Sequence, residues 1–348
     1  MIQRQLKLKL AKAQEQTLNG WLNNLTGVWN FAVRKIELDA RDGVYYSPKT
    51  FNNLLAGHSK KLNIPSHVIQ GVLSTAHLAW ERCFKKIGKK PHLKGQRNKL
   101  NSILFPDPLR PAKGQSLTIL GLGKINFHKQ ELPKAKIKCS RIVKRASGWY
   151  LCLFIDAEPN AIPIIGHAQV GIDPGFATLL TLSTGEKIEH PKELQKGAVR
   201  LAQAQRGNNK KLSARLQERM ANQRRDRNHK LSRRLVLENA LICFSKDNLK
   251  GLSRKFGKSV SAASTGQLRQ MLAYKCRADG RRYIEVDSKF STMTCSSCGA
   301  RSGPTGLSGL AVRQWRCACG ALHDRDCNAA MNTLLVGAGI AHENYAQA

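Results

Sequence analysis

Leu6, Leu8 and Leu10 alternate with Lys7 and Lys9 at the start of the chain, so one side of this segment is apolar and the other charged. That period of two predicts a half-buried strand over residues 2–10. From Ala11 to about Trp80 the period lengthens. Leu18, Trp21, Leu22, Leu25, Val28, Trp29 and Phe31 recur three and four apart, the spacing of one helix face. Pro65 and the Gly57 region divide these helices. Residues 85–99 (KKIGKKPHLKGQRNK) carry seven Lys/Arg interrupted by Gly and Pro, too polar to build a core, and read as a solvated basic loop. Strand composition returns over 116–125 and 136–156, ending in the alternating YLCLFIDAE of Tyr150–Glu158. The opening strand is expected to join this β-unit, leaving the helices as an insertion.

A linker at 159–166 (PNAIPIIG) separates a second region of different character. Ala168–Thr184 predicts two hydrophobic strands joined by a Gly/Pro turn. Glu193–Asn239 predicts a long helical segment leading into the apolar run Ala240–Phe244, and Thr265–Ala278 predicts another helix. This order of strands and helices points to an α/β domain.

Charge adds a partner to that picture. Lys+Arg 58 against Asp+Glu 23 leaves +35, which calls for a polyanion. With 348 residues and 41% hydrophobic composition the chain suits two to three compact units, and general disorder is excluded. No stretch approaches the roughly 18 consecutive apolar residues of a spanning helix, and residues 1–9 lack a signal-peptide core, so a cytoplasmic protein without a membrane partner is expected. In that compartment thiols stay reduced, so the ten cysteines point to metal binding or ordinary burial rather than to disulfides.

Cys295-Ser-Ser-Cys298 and Cys317-Ala-Cys319 are two short-spaced pairs, each followed by a glycine, Gly299 and Gly320. Four thiolates close a tetrahedral zinc shell, and glycines supply the tight turns of a zinc knuckle. Four unliganded buried thiols are the plain alternative. The second pair has one intervening residue where two are usual. Asp173, in Gly171-Ile-Asp-Pro-Gly175, ends an apolar strand, where a carboxylate projects from a sheet edge or simply caps a turn. A second acidic cluster, His323-Asp-Arg-Asp326-Cys-Asn-Ala-Ala330, enters a helix just after the cysteines, and either Asp324 or Asp326 fits an N-cap.

Taken in order, GIDPG, a basic helical segment, KFGKS (255–259), TCSSCG, the second cysteine pair and HDRDCNAA resemble TnpB, a family of transposon-encoded RNA-guided nucleases related to type V CRISPR effectors. The resemblance rests on specific motifs over residues 166–335 and on layout alone in the first half. It implies a multi-domain α/β fold. A β-rich wedge-like domain would comprise residues 1–10 and 106–165, with a helical recognition lobe inserted at 11–105. An RNase H-like RuvC domain would comprise 166–290 and 323–348, with a zinc ribbon at 291–322.

In that family three carboxylates hold two divalent ions, one activating water and the other stabilising the leaving oxygen. The motifs make Asp173 the first acid and Asp326 the third. The second should be a Glu in an Ile-Xaa-Xaa-Glu-Asp-Leu setting; here Ile242–Gly251 (ICFSKDNLKG) has Ser245 at that position and Lys246 after it. Serine does not bridge two cations, and a lysine beside the site opposes them. Asp247, through a two-residue slip, or Glu238, from the preceding helix, would be the substitutes. The implied protein is a nuclease-dead relative of the kind called TldR, an RNA-guided transcriptional repressor with a structural Zn2+ and at most a remnant Mg2+ site. The alternative is an active RNA-guided DNA endonuclease that uses Mg2+. A generic zinc-ribbon RNA-binding protein is the third class, and the paired aspartates argue against it.

Arg206–Arg234 contains eleven Lys/Arg against Glu218 and Asp226 around a narrow stripe of Leu212, Leu216, Met220, Leu231 and Leu235. A merely soluble face mixes its charges. Lys210, Lys211, Arg215, Arg219, Arg224, Arg225, Arg227, Lys230, Arg233 and Arg234 are therefore expected to track phosphates. With Lys85, Lys86, Lys89, Lys90, Lys94 and Arg97 of the basic loop, they would clamp a duplex of guide RNA with one strand of double-stranded target DNA.

Overall fold

The computed structural model describes residues 2–112, 115–128, 130–156, 166–175, 177–190, 192–246, 249–305, 309 and 311–340. The chain divides into two compact units, Met1–Pro159 and Asn160–Ala348; most of the linker at 159–166 lies outside the described residues.

The first unit opens with β1 (Ile2–Lys9), whose alternating leucines bury Leu6 and Leu8 and leave Lys7 and Lys9 exposed. β1 sits inside a six-stranded sheet, antiparallel to β6 through residues 2–7 and to β4 through Leu8 and Lys9. Between β1 and the next strand run α1 (Lys12–Arg41), the short α2 (Pro48–Asn52) and α3 (Ser59–Leu62), and α4 (Ser66–Phe84). The remaining strands are β2 (Ser102–Phe105), β3 (Ser116–Ile119), β4 (Gly123–Phe127), β5 (Lys136–Arg145) and β6 (Gly148–Asp156), in the order β2-β5-β6-β1-β4-β3. α1 buries Leu18, Trp21, Leu22, Leu25 and Val28 in the core shared with the sheet, whereas Phe31 falls off that stripe and is 40% exposed.

Two features differ from the sequence reading. β2 lies at residues assigned to the helical insertion, because four residues of alternating burial suffice to pair with β5. The basic stretch 85–99 is not a free loop. Trp29 Nε1 donates to the His92 carbonyl at 3.0 Å, and Asn30 exchanges two bonds of 2.8 Å with the Lys94 backbone. Lys99 Nζ reaches Asn23 Oδ1 at 3.1 Å, so polar residues on α1 pin the stretch along the helix.

The second unit carries β7 (Ala168–Pro174), β8 (Leu180–Leu182), β9 (Lys187–Ile188), α5 (Lys192–Arg206), α6 (Lys210–Glu238), β10 (Asn239–Lys246), α7 (Leu249–Ala263), α8 (Thr265–Ala278), β11 (Arg282–Asp287), β12 (Gln314–Arg316), β13 (Leu322–Asp324) and α9 (Arg325–Ala338). Its five-stranded sheet has the order β11-β10-β7-β8-β9, with β7, β10 and β11 parallel and β8 and β9 antiparallel. One face packs Val170, Ile172, Ile242 and Phe244 against Leu231 and Leu235 of α6 and Leu268 and Leu272 of α8. The other packs Leu241, Cys243 and Val286 against Leu334 of α9.

The single long helix expected over 193–239 is two helices, because Gly207, Asn208 (φ +48) and Asn209 break it; the Asn209 side chain then caps α6 by accepting from Leu212 N at 3.0 Å. α7 was hidden in the sequence by its two glycines and is kinked at Phe256 (φ −123, ψ 36). Residues 341–348, assigned above to the second region, lie outside the described residues.

Candidate metal centre and carboxylate face

The Sγ atoms of Cys295, Cys298, Cys317 and Cys319 all lie within 4.8 Å of one another. Cys295 and Cys319 are 3.8 Å apart, and Cys298 and Cys317 are 3.6 Å apart. Bonds of about 2.3 Å to a tetrahedral zinc put sulfurs about 3.8 Å apart, so the cluster has the size such an ion needs. Each knuckle is closed by a glycine in the left-handed region: Gly299 (φ +77) donates to the Cys295 carbonyl and Gly320 (φ +91) to that of Cys317, both at 2.9 Å. The single residue between Cys317 and Cys319 is thus no obstacle to convergence. Two side chains beyond the cysteines contact the sulfurs. His323 Nε2 lies 3.0 Å from Cys295 Sγ, and burial lowers its pKa, favouring a neutral ring that donates to the sulfur. The Ser302 hydroxyl lies 3.1 Å from Cys317 Sγ and holds that thiol below its usual range.

The candidate acids come from opposite ends of the unit's chain path, Asp173 from the end of β7 and Asp326 from the first turn of α9, seven residues after Cys319. β10 runs parallel to β7 with Cys243 opposite Gly171 and Phe244 opposite Ile172, so the next residues in register are Ser245 and Asp173. Alternation puts both on the α9 face with Gly171 and Cys243. There α9 comes very close. A Cβ on Gly171 would lie 2.0 Å from the Ala330 carbonyl oxygen, and one on Gly337 would lie 2.4 Å from Cys243 Sγ. Asp326 is one helical turn, about 6 Å, before Ala330. Asp173 is two residues, about 7 Å, beyond Gly171. Both half-buried carboxylates therefore belong to the neighbourhood of one helix–strand contact.

Ser245 is fully buried, and its Oγ has no hydrogen-bond partner among the described residues. Lys246 does not oppose the acids. It alternates to the opposite face, toward Glu285, whose carboxyl is held below its usual range first by Arg269 and in small part by Lys246. Glu238 is corrected as a substitute acid. It ends α6, next to Asn239, which pairs with Ala168 at the far end of the strands. Six residues of strand, about 20 Å, separate that end from Ser245. Asp247 lies outside the described residues.

The N-cap question also resolves. Asp324 caps α9, accepting from Asp326 N at 3.1 Å and Cys327 N at 3.0 Å. It also pairs with Lys187 Nζ at 2.7 Å, and these contacts outweigh burial to hold its carboxyl below the usual range. Asp326 is left as a first-turn acid with Arg313 3.5 Å away. Asn328, inside the HDRDCNAA motif, and Asn332, one turn on, each send Nδ2 to the Ser291 and Thr294 carbonyls, and Asn328 Oδ1 accepts from Ser296 N at 2.9 Å. They tie α9 to the first knuckle. The Asn328-Ala-Ala330 motif itself was the signal.

The proposed phosphate contacts divide into two groups. Lys210, Lys211, Arg215 and Arg219 are exposed and Arg224 and Arg225 half-exposed on α6. Arg227 is built into the fold instead: its Nη2 donates to the Ala263 carbonyl at 2.7 Å, and burial, with Arg224 nearby, lowers its pKa. Arg233 pairs with Asp279, Arg234 with Glu186 and Lys230 with Asp226. In the first unit Lys85 pairs with Glu81, Lys90 with Glu37, and Lys94 lies 5.4 Å over the Trp29 ring, while Lys86, Lys89 and Arg97 stay exposed. No described helix is long and apolar enough to cross a membrane.

Residues 163–254 match a family described as probable transposase (OrfB_IS605), and residues 266–333 match the Cas12f1-like TNB domain. A putative RNA-guided DNA endonuclease from Streptomyces pristinaespiralis is 40% identical over 208 residues, 56% of this chain and 51% of that protein, so the match spans about half of that relative. The putative RNA-guided DNA endonuclease InsQ of Escherichia coli K12 is 24% identical over 304 residues, covering 78% of this chain and 75% of that one. Among solved structures, a Cas12f1-sgRNA-target DNA complex aligns over 96% of this chain and 99% of its own at 15% identity and a TM-score of 0.38, a likeness too loose to build on.

Proposed function

We propose that the chain is a member of the TnpB family and that it is an RNA-guided DNA-binding protein with a degraded nuclease site, acting as a transcriptional repressor by occupying its target. The observation that carries this reading is Ser245. It stands in register beside Asp173, on the same face as Asp326, where the family's reaction needs a carboxylate. Clamping both the attacking and the leaving oxygen takes two cations, and two acids with a serine do not hold both.

In this reading the guide supplies sequence by base pairing, and the protein holds the duplex through its backbone. Exposed Lys210, Lys211, Arg215 and Arg219 with half-exposed Arg224 and Arg225 supply phosphate contacts from α6 of the second unit, and exposed Lys86, Lys89 and Arg97 supply others from the first unit. The four cysteines hold one structural Zn2+ that fixes the ribbon onto α9. A target-bound complex at a promoter then blocks RNA polymerase without chemistry.

The names of both relatives favour a second reading, an active Mg2+-dependent endonuclease. Asp247, two residues beyond Ser245, is the acid it would need. One experiment decides between them: the purified ribonucleoprotein is incubated with matched and mismatched DNA in Mg2+ or Mn2+, scoring binding and strand scission separately. Matched binding without scission is expected. Guide-dependent cutting that Asp247→Asn abolishes would establish the second reading.

A further inference from the structure

Phe290 has φ +65, in the left-handed region that a bulky side chain rarely adopts. Three donors converge on its carbonyl and hold it there: Met293 N and Thr294 N at 3.0 Å and Thr294 Oγ1 at 3.1 Å. Two further carbonyls of this turn, those of Ser291 and Thr294, accept from Asn328 and Asn332 of α9. The turn is thus fixed from several sides, and the ring is left 36% exposed at the wall of a cavity of about 300 Å³ between α9 and the ribbon. Arg301 Cζ lies 4.3 Å and Lys289 Nζ 4.9 Å from the ring centroid. Val286 and Val336 line the cavity's apolar side, and Asp287, whose Oδ1 accepts from Lys289 N at 3.0 Å, is the one acid among its described lining residues. Val286 stands opposite Ser245 in the parallel register of β10 and β11, so the cavity opens at the strand ends that also carry Ser245.

A turn needing only a left-handed residue is served without strain by Gly or Asn. Keeping a phenyl ring there, with two cations against it and space beside it, needs a further reason. We propose that this cavity takes one unpaired nucleobase of a single-stranded polynucleotide, with Phe290 as the stacking ring and Lys289 and Arg301 receiving the flanking phosphates. The chemistry suits any sequence, because every base has a π-face and every linkage a charge. Within the reading above, opening a duplex target frees such a strand. The inference rests on that reading only in requiring nucleic acid, and it is tested without a guide.

The full-length protein is mixed with single-stranded oligonucleotides carrying 5-iodouracil, one DNA and one RNA, irradiated, and the cross-linked residue mapped by mass spectrometry, with affinity measured by fluorescence anisotropy. A cross-link at Phe290 is expected. Phe290→Trp should keep the affinity, and Phe290→Ala should weaken it by roughly fivefold or more, the effect of losing one stacked base. Phe290→Gly suits the φ of +65 and should fold at least as well, yet weaken binding as Ala does. A Phe290→Gly protein that binds as tightly as the parent, or cross-links confined to other residues, would overturn the proposal. A cross-link with the DNA probe assigns a target strand, and one with the RNA probe alone assigns a guide segment; either supports the slot. Failure of guided duplex binding leaves this result standing, and the reverse holds equally.

Discussion

Gly171→Ala is the most direct perturbation of the carboxylate face, because it acts on the contact that brings α9 to β7. The added Cβ would sit 2.0 Å from the Ala330 oxygen and 2.7 Å from Leu334 N, against the roughly 3.5 Å at which nonbonded atoms rest. Both obstacles are backbone, so no rotamer change relieves them and the helix must retreat by about 1 Å or more. Overpacking a dense interior typically costs about 1–3 kcal/mol, and a rigid obstacle belongs at the top of that range. Retreat also loosens Leu334 from Leu241, Cys243 and Val286. Taking about 3 kcal/mol and a denaturant slope near 2–3 kcal/mol per molar urea, the midpoint should fall by about 1 M. Urea unfolding followed by far-UV circular dichroism measures this. Gly20→Ala, in α1 with nothing within 4 Å of the new Cβ, is the control and should gain about 0.5–1 kcal/mol. A Gly171→Ala protein within about 1 kcal/mol of the parent would refute the close docking of α9.

The purified protein should contain one zinc per chain, and Cys298→Ser should lower metal content and unravel the ribbon, read by elemental analysis and by proteolysis near residues 291–322. A folded, metal-free protein with the sulfurs apart would contradict it. Neutralising Arg224 and Arg225 together should flatten the salt dependence of nucleic-acid affinity by about 0.7–0.9 per lost phosphate contact. Arg227→Ala should instead lower stability with little change in that slope, because its guanidinium serves the Ala263 carbonyl and Asn228. Burial, with Arg233 nearby, pulls Lys275 down to about 8 from 10.5. The folded protein then sheds this proton at about 8 while the unfolded chain keeps it to 10.5, so the lysine's contribution to stability rises with pH across that window and is flat below it. Lys275→Met should remove roughly 1–2 kcal/mol of that rise, discounted because the group is only half buried; a pH series of urea midpoints that matches the parent would count against it.

Local chemistry is what the sequence carried well. Period-two leucines placed β1 and period-3.6 apolar residues placed α1, because each pattern needs only neighbours in the chain to declare a buried side. The cysteine pairs with their glycines announced a four-sulfur cluster for the same reason, since knuckle geometry is set within a few residues. The motif GIDPG and the run ICFSKDNLKG marked the ends of two apolar strands, β7 and β10, for the same reason.

Tertiary structure decided which side of the sheet each faced. Lys246 follows Ser245 in sequence yet points the other way, and Glu238 is seven positions from Ser245 yet sits at the opposite end of the strand. Which cations remain free was equally out of reach. Arg227, Arg233 and Arg234 read as part of one basic run, but their partners, Ala263, Asp279 and Glu186, are more than 30 residues away in the chain. Charge counted along a sequence records how many cations there are; only packing, which costs buried polar groups dearly unless they are paired, determines which are consumed inside the fold and which are left for a polyanion.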